Sequence, residues 1–198
     1  MIMYKRFFKR VFDIIISIIA IPFFCVLLIF LAPVIYFSDK GTLFHNAPRI
    51  GKNGKVFMMY KFRTMKINAL DLRNEDGSTY NSEYDPRLTK IGRLLRKTSI
   101  DEIPQIFNIL KGDMSLIGPR PDLASQSEFY DIPNEIKFTV RPGLTGYAQV
   151  KGRNTISWKD KTKLDRYYVE NISLLLDTKI FFLTIFKIFK AEGVNKNE

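Results

Sequence analysis

The 198-residue chain has one cysteine and one histidine. Cys25 alone excludes an internal disulfide and a cysteine-rich metal site. His45 alone argues against a histidine-clustered zinc site and is expected in a loop, not as a ligand. Any metal must therefore be held by oxygen ligands, which points to magnesium. Acidic residues are also scarce, 20 Asp and Glu against 31 Lys and Arg, for a net charge of +11. So basic a chain seeks anionic partners: phosphates, nucleic acid or an acidic lipid surface. Repeats and low-complexity tracts are absent, and the length suits one domain plus an appendage.

Charge is missing altogether from residues 14–37, IIISIIAIPFFCVLLIFLAPVIYF. A straight helix over them spans about 36 Å, enough to cross a bilayer. The run is too long for a signal peptide's apolar region. A single-pass anchor is the plain reading, and two features oppose it. Lys5, Arg6, Lys9 and Arg10 precede the segment, and Lys40, Arg49, Lys52, Lys55, Lys61 and Arg63 follow it, so both flanks qualify for the cytoplasmic side. Pro22 lies inside the segment and Pro33 near its end, and each can kink a helix. A bend at Pro22 predicts a re-entrant, monotopic hairpin with both basic flanks on one face.

Beyond Gly41 the chain turns polar. Asn53-Gly54 is a tight hairpin turn, and residues 56–60 form a strand candidate. Lys61 and Arg63 alternate beyond it, so on a strand they share a face. They read either as a phosphate clamp, Arg offering a fork that fits phosphate oxygens, or as a solvated basic edge. Residues 67–86, with Asn74-Glu75-Asp76-Gly77-Ser78, read as a surface loop. Residues 89–97, TKIGRLLRK, are a short basic amphipathic stretch, and Arg93, Arg96 and Lys97 lead straight into an acid pair.

That pair, Asp101-Glu102, lies in TSIDEIPQIFNILKGDMSLIGPRP, residues 98–121. Ser99 and Glu102 have capping-box spacing, and Pro104 suits a first turn, so Asp101 is an alternative cap. Ile103, Ile106, Phe107 and Leu110 follow at helical spacing, and Gly112 suits the C′ position. A polar turn at Asp113-Met114-Ser115 and a stiff Pro119-Arg120-Pro121 complete the stretch. Acids in a first helical turn commonly serve only the helix dipole. The cations nearby favour a second reading, since they help keep a carboxylate ionised.

In the last third, Val140-Arg141-Pro142-Gly143-Leu144-Thr145-Gly146-Tyr147 is a rigid turn, followed by a strand expected to reach Val150. Lys151-Gly152-Arg153-Asn154 is another basic turn. Residues 158–168 suggest a helix carrying Asp165, Tyr167 and Tyr168. Residues 174–190 are apolar with interspersed lysines and suit either an interfacial helix, the preferred reading, or a core helix.

Taken together, KRVFD, YKFRTM, TSIDEIPQIFNILKGDMSLIGPRP, VRPGLTGYAQVKGRN and LDRYYVENISLLLD, in this order, resemble the bacterial sugar transferases, the small monotopic polyprenyl-phosphate phosphoglycosyl transferases. The match runs from about Lys9 to Gly193. The resemblance implies an α+β, mostly helical fold: residues 1–40 a re-entrant membrane helix with a basic flank, and residues 41–198 a compact cytoplasmic catalytic domain resting on amphipathic helices. It implies transfer of sugar-1-phosphate from a UDP-sugar to undecaprenyl phosphate at the cytoplasmic face of the bacterial inner membrane, with release of UMP. That step commits a sugar to capsule, exopolysaccharide, O-antigen or glycoprotein glycan assembly. The family's catalytic dyad falls on Asp101 and Glu102, with the Asp as covalent nucleophile and magnesium as cofactor, and its members are often dimeric. One departure stands out: the Ser-Pro common at the family's membrane break is absent, and Pro22, about one turn earlier, is the candidate kink.

A diphosphate repels an attacking carboxylate unless cations neutralise it. Lys61, Arg63, Arg96, Arg120 and Arg141 are the candidates, with Arg120 favoured because two prolines stiffen its backbone. Asp113, Asp165 and Tyr168 are further substrate-binding candidates. Two rival functions remain on sequence grounds: a glycosyltransferase releasing UDP, and a membrane-anchored basic module that binds acidic lipid without catalysis. Nucleic acid is set aside, since the aromatics cluster in apolar runs and form no basic stacking face.

Overall fold

One helix carries the N-terminal apolar segment. The computed structural model describes every residue except 1–2, 73–79, 81, 83, 133–134, 153–155 and 191–198. After a π-helical turn at Tyr4–Phe8, helix α1 (Lys9–Asp39) runs unbroken through Pro22 and Pro33. The chain therefore does not reverse at Pro22. A proline removes one helical hydrogen bond and bends a helix without having to end it.

The two faces of α1 differ. Asp13, Ser17, Phe24 and Ile35 are buried, whereas Ile19, Phe23, Ile29, Phe30 and Phe37 are exposed. Only 11% of its most apolar stretch is buried inside the protein, and among the described residues it is the one helix long and apolar enough to cross a membrane. Contiguous apolar surface of this kind marks a membrane or protein contact.

Both ends of α1 dock on the rest of the chain. At its start Lys9 pairs with Asp177 at 2.6 Å, and Arg10 donates to the carbonyls of Ile109 and Leu110. The Asp13 carboxylate accepts from the Leu116 amide at 2.8 Å. In its middle, Phe24 stacks on Phe62 and meets Phe107 edge-on. At its end Asp39 takes two hydrogen bonds from Arg63, at 2.6 and 2.8 Å.

Strands β1 (Phe44–Ile50) and β2 (Val56–Phe62) form the expected antiparallel hairpin, with Asn53 and Gly54 in the turn at φ 56° and 75°. His45, expected in a loop, lies in β1 opposite Lys61. Pro48 lies within β1, which is an edge strand and so tolerates a proline. Helix α2 (Lys90–Thr98) follows, capped by Thr89. Gly92 is required there: a Cβ would come within 1.8 Å of the Thr64 carbonyl oxygen.

A 3-10 helix over Ile100–Gln105 then leads into α3 (Ile106–Lys111), and Gly112, at φ 94°, ends it as expected. The capping box is not formed, and Asp101 is no cap either. Ser99 sits in left-handed backbone and closes α2, its amide donating to Arg96 and Leu95. One residue cannot terminate α2 in that geometry and also present an extended N-cap.

Strands β3 (Ser115–Ile117) and β4 (Gly143–Thr145) pair in parallel. Strand β4 thus lies inside the stretch expected as a turn, and the strand expected after it, to Val150, is instead helix α4 (Tyr147–Lys151). The ladder goes no further because β3 gives out at Gly118-Pro119, and proline has no N–H for it. Helices α5 (Trp158–Glu170) and α6 (Leu174–Lys190) complete the fold. In α6, Asp177 and Ile180 are buried while Leu175, Phe182 and Phe186 are exposed, so it has both a core face and an outward apolar face. Of the basic turn expected at Lys151-Gly152-Arg153-Asn154, Lys151 ends α4 and Gly152 follows it; Arg153-Asn154 and the loop stretch Asn74-Glu75-Asp76-Gly77-Ser78 lie outside the described residues.

The architecture is α+β and mostly helical. One core cluster joins Ile117, Val150, Tyr168, Val169, Ile172 and Ile180. A second joins Phe24 and Ile35 of α1 to Phe62, Leu95 and Ile106. The apolar N-terminal helix is thus a wall of the domain, and the 3-10 segment carrying the acid pair rests on that second cluster through Ile100 and Ile103.

Candidate active site

Asp101 and Glu102 lie on the 3-10 segment against β2. Glu102 is the tied member of the pair. Lys61, near the end of β2, donates to its Oε1 at 2.6 Å, and Arg120, between Pro119 and Pro121, donates to the same oxygen at 2.9 Å. Burial works against the Glu102 charge, but Arg120 and Lys61 outweigh it and hold the carboxyl far below its ordinary range. Glu102 is ionised at any physiological pH.

Asp101 is the free member. It is 7% exposed, and its nearest cation is Lys61, at 3.7 Å. Among the described residues its carboxylate takes no hydrogen bond. Burial raises its pKa, Lys61 counters, and the neighbouring Glu102 charge raises it again. Arg96 adds a more distant positive charge, and its Nε donates to the Thr64 hydroxyl at 3.1 Å.

Asp101, Glu102, Lys61, Arg120 and Arg96 are therefore brought together from four separate stretches of chain. The other sequence candidates lie elsewhere. Arg63 faces away from its strand neighbour Lys61, with its guanidinium on Asp39 and its Nε on the Thr42 carbonyl. Arg141 donates to the Gly112 carbonyl at 2.7 Å and so caps α3. Asp113 pairs with Lys111 and Asn108 in the turn that follows α3. Tyr168 is core, its hydroxyl within reach of Asp177 and the Ile117 carbonyl.

Asp165 belongs to a second charged cluster. It lies 4.0 Å from the buried Lys137 ammonium, which is bound chiefly to Asp122. Burial pushes the Asp165 carboxyl up to about 7, with Lys137 opposing and Asp122 adding to the rise. Sequence reasoning missed Lys137 and Asp122. Asp122 carried a signal, since it directly follows Pro121. Lys137 carried none, because nothing local announces that a lysine will be buried.

The carboxylate pair suits an oxygen-seeking cation. Among the described residues no group of three or more His, Cys, Asp and Glu side chains forms a metal cage. Magnesium characteristically takes one or two carboxylates together with waters and substrate phosphates, so two neighbouring acids are a sufficient protein share. Both cations occupy Oε1 of Glu102.

Comparison with known proteins bears on what this site does. The family model described as bacterial sugar transferase matches residues 4–191. The sugar transferase EpsL of Bacillus subtilis is 43% identical over 95% of this chain and 90% of its own length. The undecaprenyl-phosphate galactose phosphotransferase of Salmonella typhimurium is 38% identical over 96% of this chain, which corresponds to 42% of that protein. The UDP-N-acetylgalactosamine-undecaprenyl-phosphate N-acetylgalactosaminephosphotransferase of Aeromonas hydrophila is 40% identical over 94% of this chain and 45% of its own length.

Proposed function

We propose, since the chain belongs to the bacterial sugar transferase family, that it moves sugar-1-phosphate from a UDP-sugar to undecaprenyl phosphate and releases UMP. The observation that carries the chemistry is the contrast within the pair: Glu102 is fixed by two cations, while Asp101, beside it, is buried and takes no hydrogen bond from the described residues. A nucleophile must have a lone pair free to reach phosphorus, and Asp101 has one.

In the first step an Asp101 carboxylate oxygen attacks the β-phosphorus. An O–P bond forms, the bond from that phosphorus to the bridging oxygen breaks, and its electron pair leaves with UMP. In the second step a phosphate oxygen of undecaprenyl phosphate attacks the same phosphorus, and the Asp101 carboxylate is regenerated. Two displacements replace one. Lys61 and Arg120 converge on Glu102, next to Asp101, and so offset the charge of a bound diphosphate in the transition state. Magnesium, held by Asp101 and Glu102, would supply further neutralisation of the phosphoryl oxygens.

Membrane attachment follows from α1, whose outward face is apolar. The monotopic arrangement is supported by its contacts. Lys9 and Asp39, at opposite ends, both pair with one domain. A helix that crossed a bilayer would carry one of them about 30 Å from a domain on the other side. We therefore place α1 within one leaflet, with its basic flanks and the active site at the cytoplasmic face and the exposed side of α6 in the interface.

The test is the nucleotide product. Membrane fractions given magnesium, undecaprenyl phosphate and a panel of UDP-sugars should release UMP in step with lipid-linked sugar phosphate. Release of UDP would make the protein a glycosyltransferase and remove the role given to Asp101.

A further inference from the structure

Arg120 reaches Glu102 from the surface. Its side chain is 48% exposed, so packing does not aim the guanidinium; the backbone of the Pro119-Arg120-Pro121 turn does. That turn is pinned at both ends. Before it, the Gly118 amide donates to the Thr145 carbonyl at 2.8 Å, and the Pro119 carbonyl accepts from the Gly143 amide at 2.9 Å. After it, the Asp122 carbonyl accepts from the Ile50 amide at 3.0 Å.

The Asp122 side chain is the third pin. Its Oδ2 takes the Tyr130 hydroxyl at 2.8 Å and the Lys137 ammonium. Lys137 is only 7% exposed. It lies over the rings of Tyr130, Phe138 and Trp158 at 4.9, 5.4 and 5.8 Å from their centroids. Asp165 stands behind it at 4.0 Å. A buried ammonium costs free energy unless it is paired, and here two carboxylates and three aromatic faces hold it in one place. The small cavity beside the turn is lined by Pro119, Arg120, Pro121 and Lys137 together.

We propose that Lys137 is a positioning residue for Arg120. Through Asp122 it sets the turn whose guanidinium clamps Glu102, and it touches neither substrate nor the reacting atoms. The inference rests on the proposed reaction and adds a residue to it. A charge remote from the dyad thereby governs the dyad's electrostatics through two backbone steps.

The test is a double-mutant cycle on the full-length protein in membranes, read as UMP release. Lys137→Met should lower kcat tenfold or more in the parent protein. In an Arg120→Ala background the same change should cost less than twofold, because the group it positions is gone. Lys137→Arg, which keeps the charge, should retain most of the parent rate. A merely structural lysine gives the same fold-loss in both backgrounds, and that result overturns the proposal. Should Lys137→Met not fold, Asp122→Asn, which preserves side-chain shape, is read by the same comparison with the same two outcomes. Absence of UMP release from the parent protein would instead strike the proposed reaction itself.

Discussion

Lys61 and Arg120 place their cations on a single oxygen of Glu102, at 2.6 and 2.9 Å. One comes from a strand and the other from a proline-bounded turn, so the convergence is a product of folding. It divides the labour of the acid pair. The carboxylate that both cations hold cannot easily move, and the one beside it can.

Asp101→Asn removes the nucleophile while keeping its shape. Turnover should fall below a thousandth of the parent rate, with folding and membrane attachment unchanged. UMP release and membrane flotation check the two halves of this expectation, and normal turnover would dismiss the assignment. Glu102→Gln should slow the reaction by about a hundredfold, in the range for losing one preorganised electrostatic contact.

The pH profile should show an acid limb. Burial and Glu102 raise the Asp101 pKa, and only the ionised form attacks. Activity is therefore lost as pH falls through a value above the ordinary aspartate range of about 3.9. Lys61→Met removes the opposing cation, so the limb should move to higher pH. A limb that stays in place would show that another group controls it.

Asp165 gives a stability signature. Its folded pKa, about 7, lies above the unfolded value of about 3.9. The folded state holds the proton more tightly, so this group's stabilisation is complete below about pH 4 and is lost as pH rises through 7. The difference in Tm between Asp165→Asn and the parent should grow in the variant's favour from pH 4 to 8. The full swing is on the order of a few kcal/mol. A constant difference would mean that Asp165 does not titrate in this window.

Gly92 tests the packing of α2. A Cβ there would meet the Thr64 carbonyl at 1.8 Å, and backbone cannot step aside as a side chain end can. Gly92→Ala should cost about 1–3 kcal/mol, as overpacking does. It should also weaken catalysis by shifting Arg96 away from the Thr64 hydroxyl. Chemical denaturation and kcat measured on the same preparation check both effects.

Much of the site was legible because its features are local. Asn53-Gly54 announced a hairpin, Gly112 a helix end, and Pro119 and Pro121 a stiffened Arg120. Failures came where one residue served two elements. Ser99 looked like a cap for the acids and instead closes α2. The strand expected after Tyr147 is instead helix α4, and β4 lies within the stretch expected as a turn. Arg63 and Lys61 share a period-2 face only while the strand lasts. The strand ends at Phe62, after which Arg63 turns to Asp39.

The sequence by itself determined the adjacency of the two acids, the charge-free run of residues 14–37 and the surplus of cations, because these are properties of covalent order and composition. The tertiary structure alone decided which of the seven widely spaced candidate cations and acids serve the dyad. It set Lys61 and Arg120 on Glu102, sent Arg63 to Asp39 and Arg141 to Gly112, and buried Lys137 between Asp122 and Asp165. Such pairings depend on distance and burial, and both arise only when separate stretches of chain pack and exclude water.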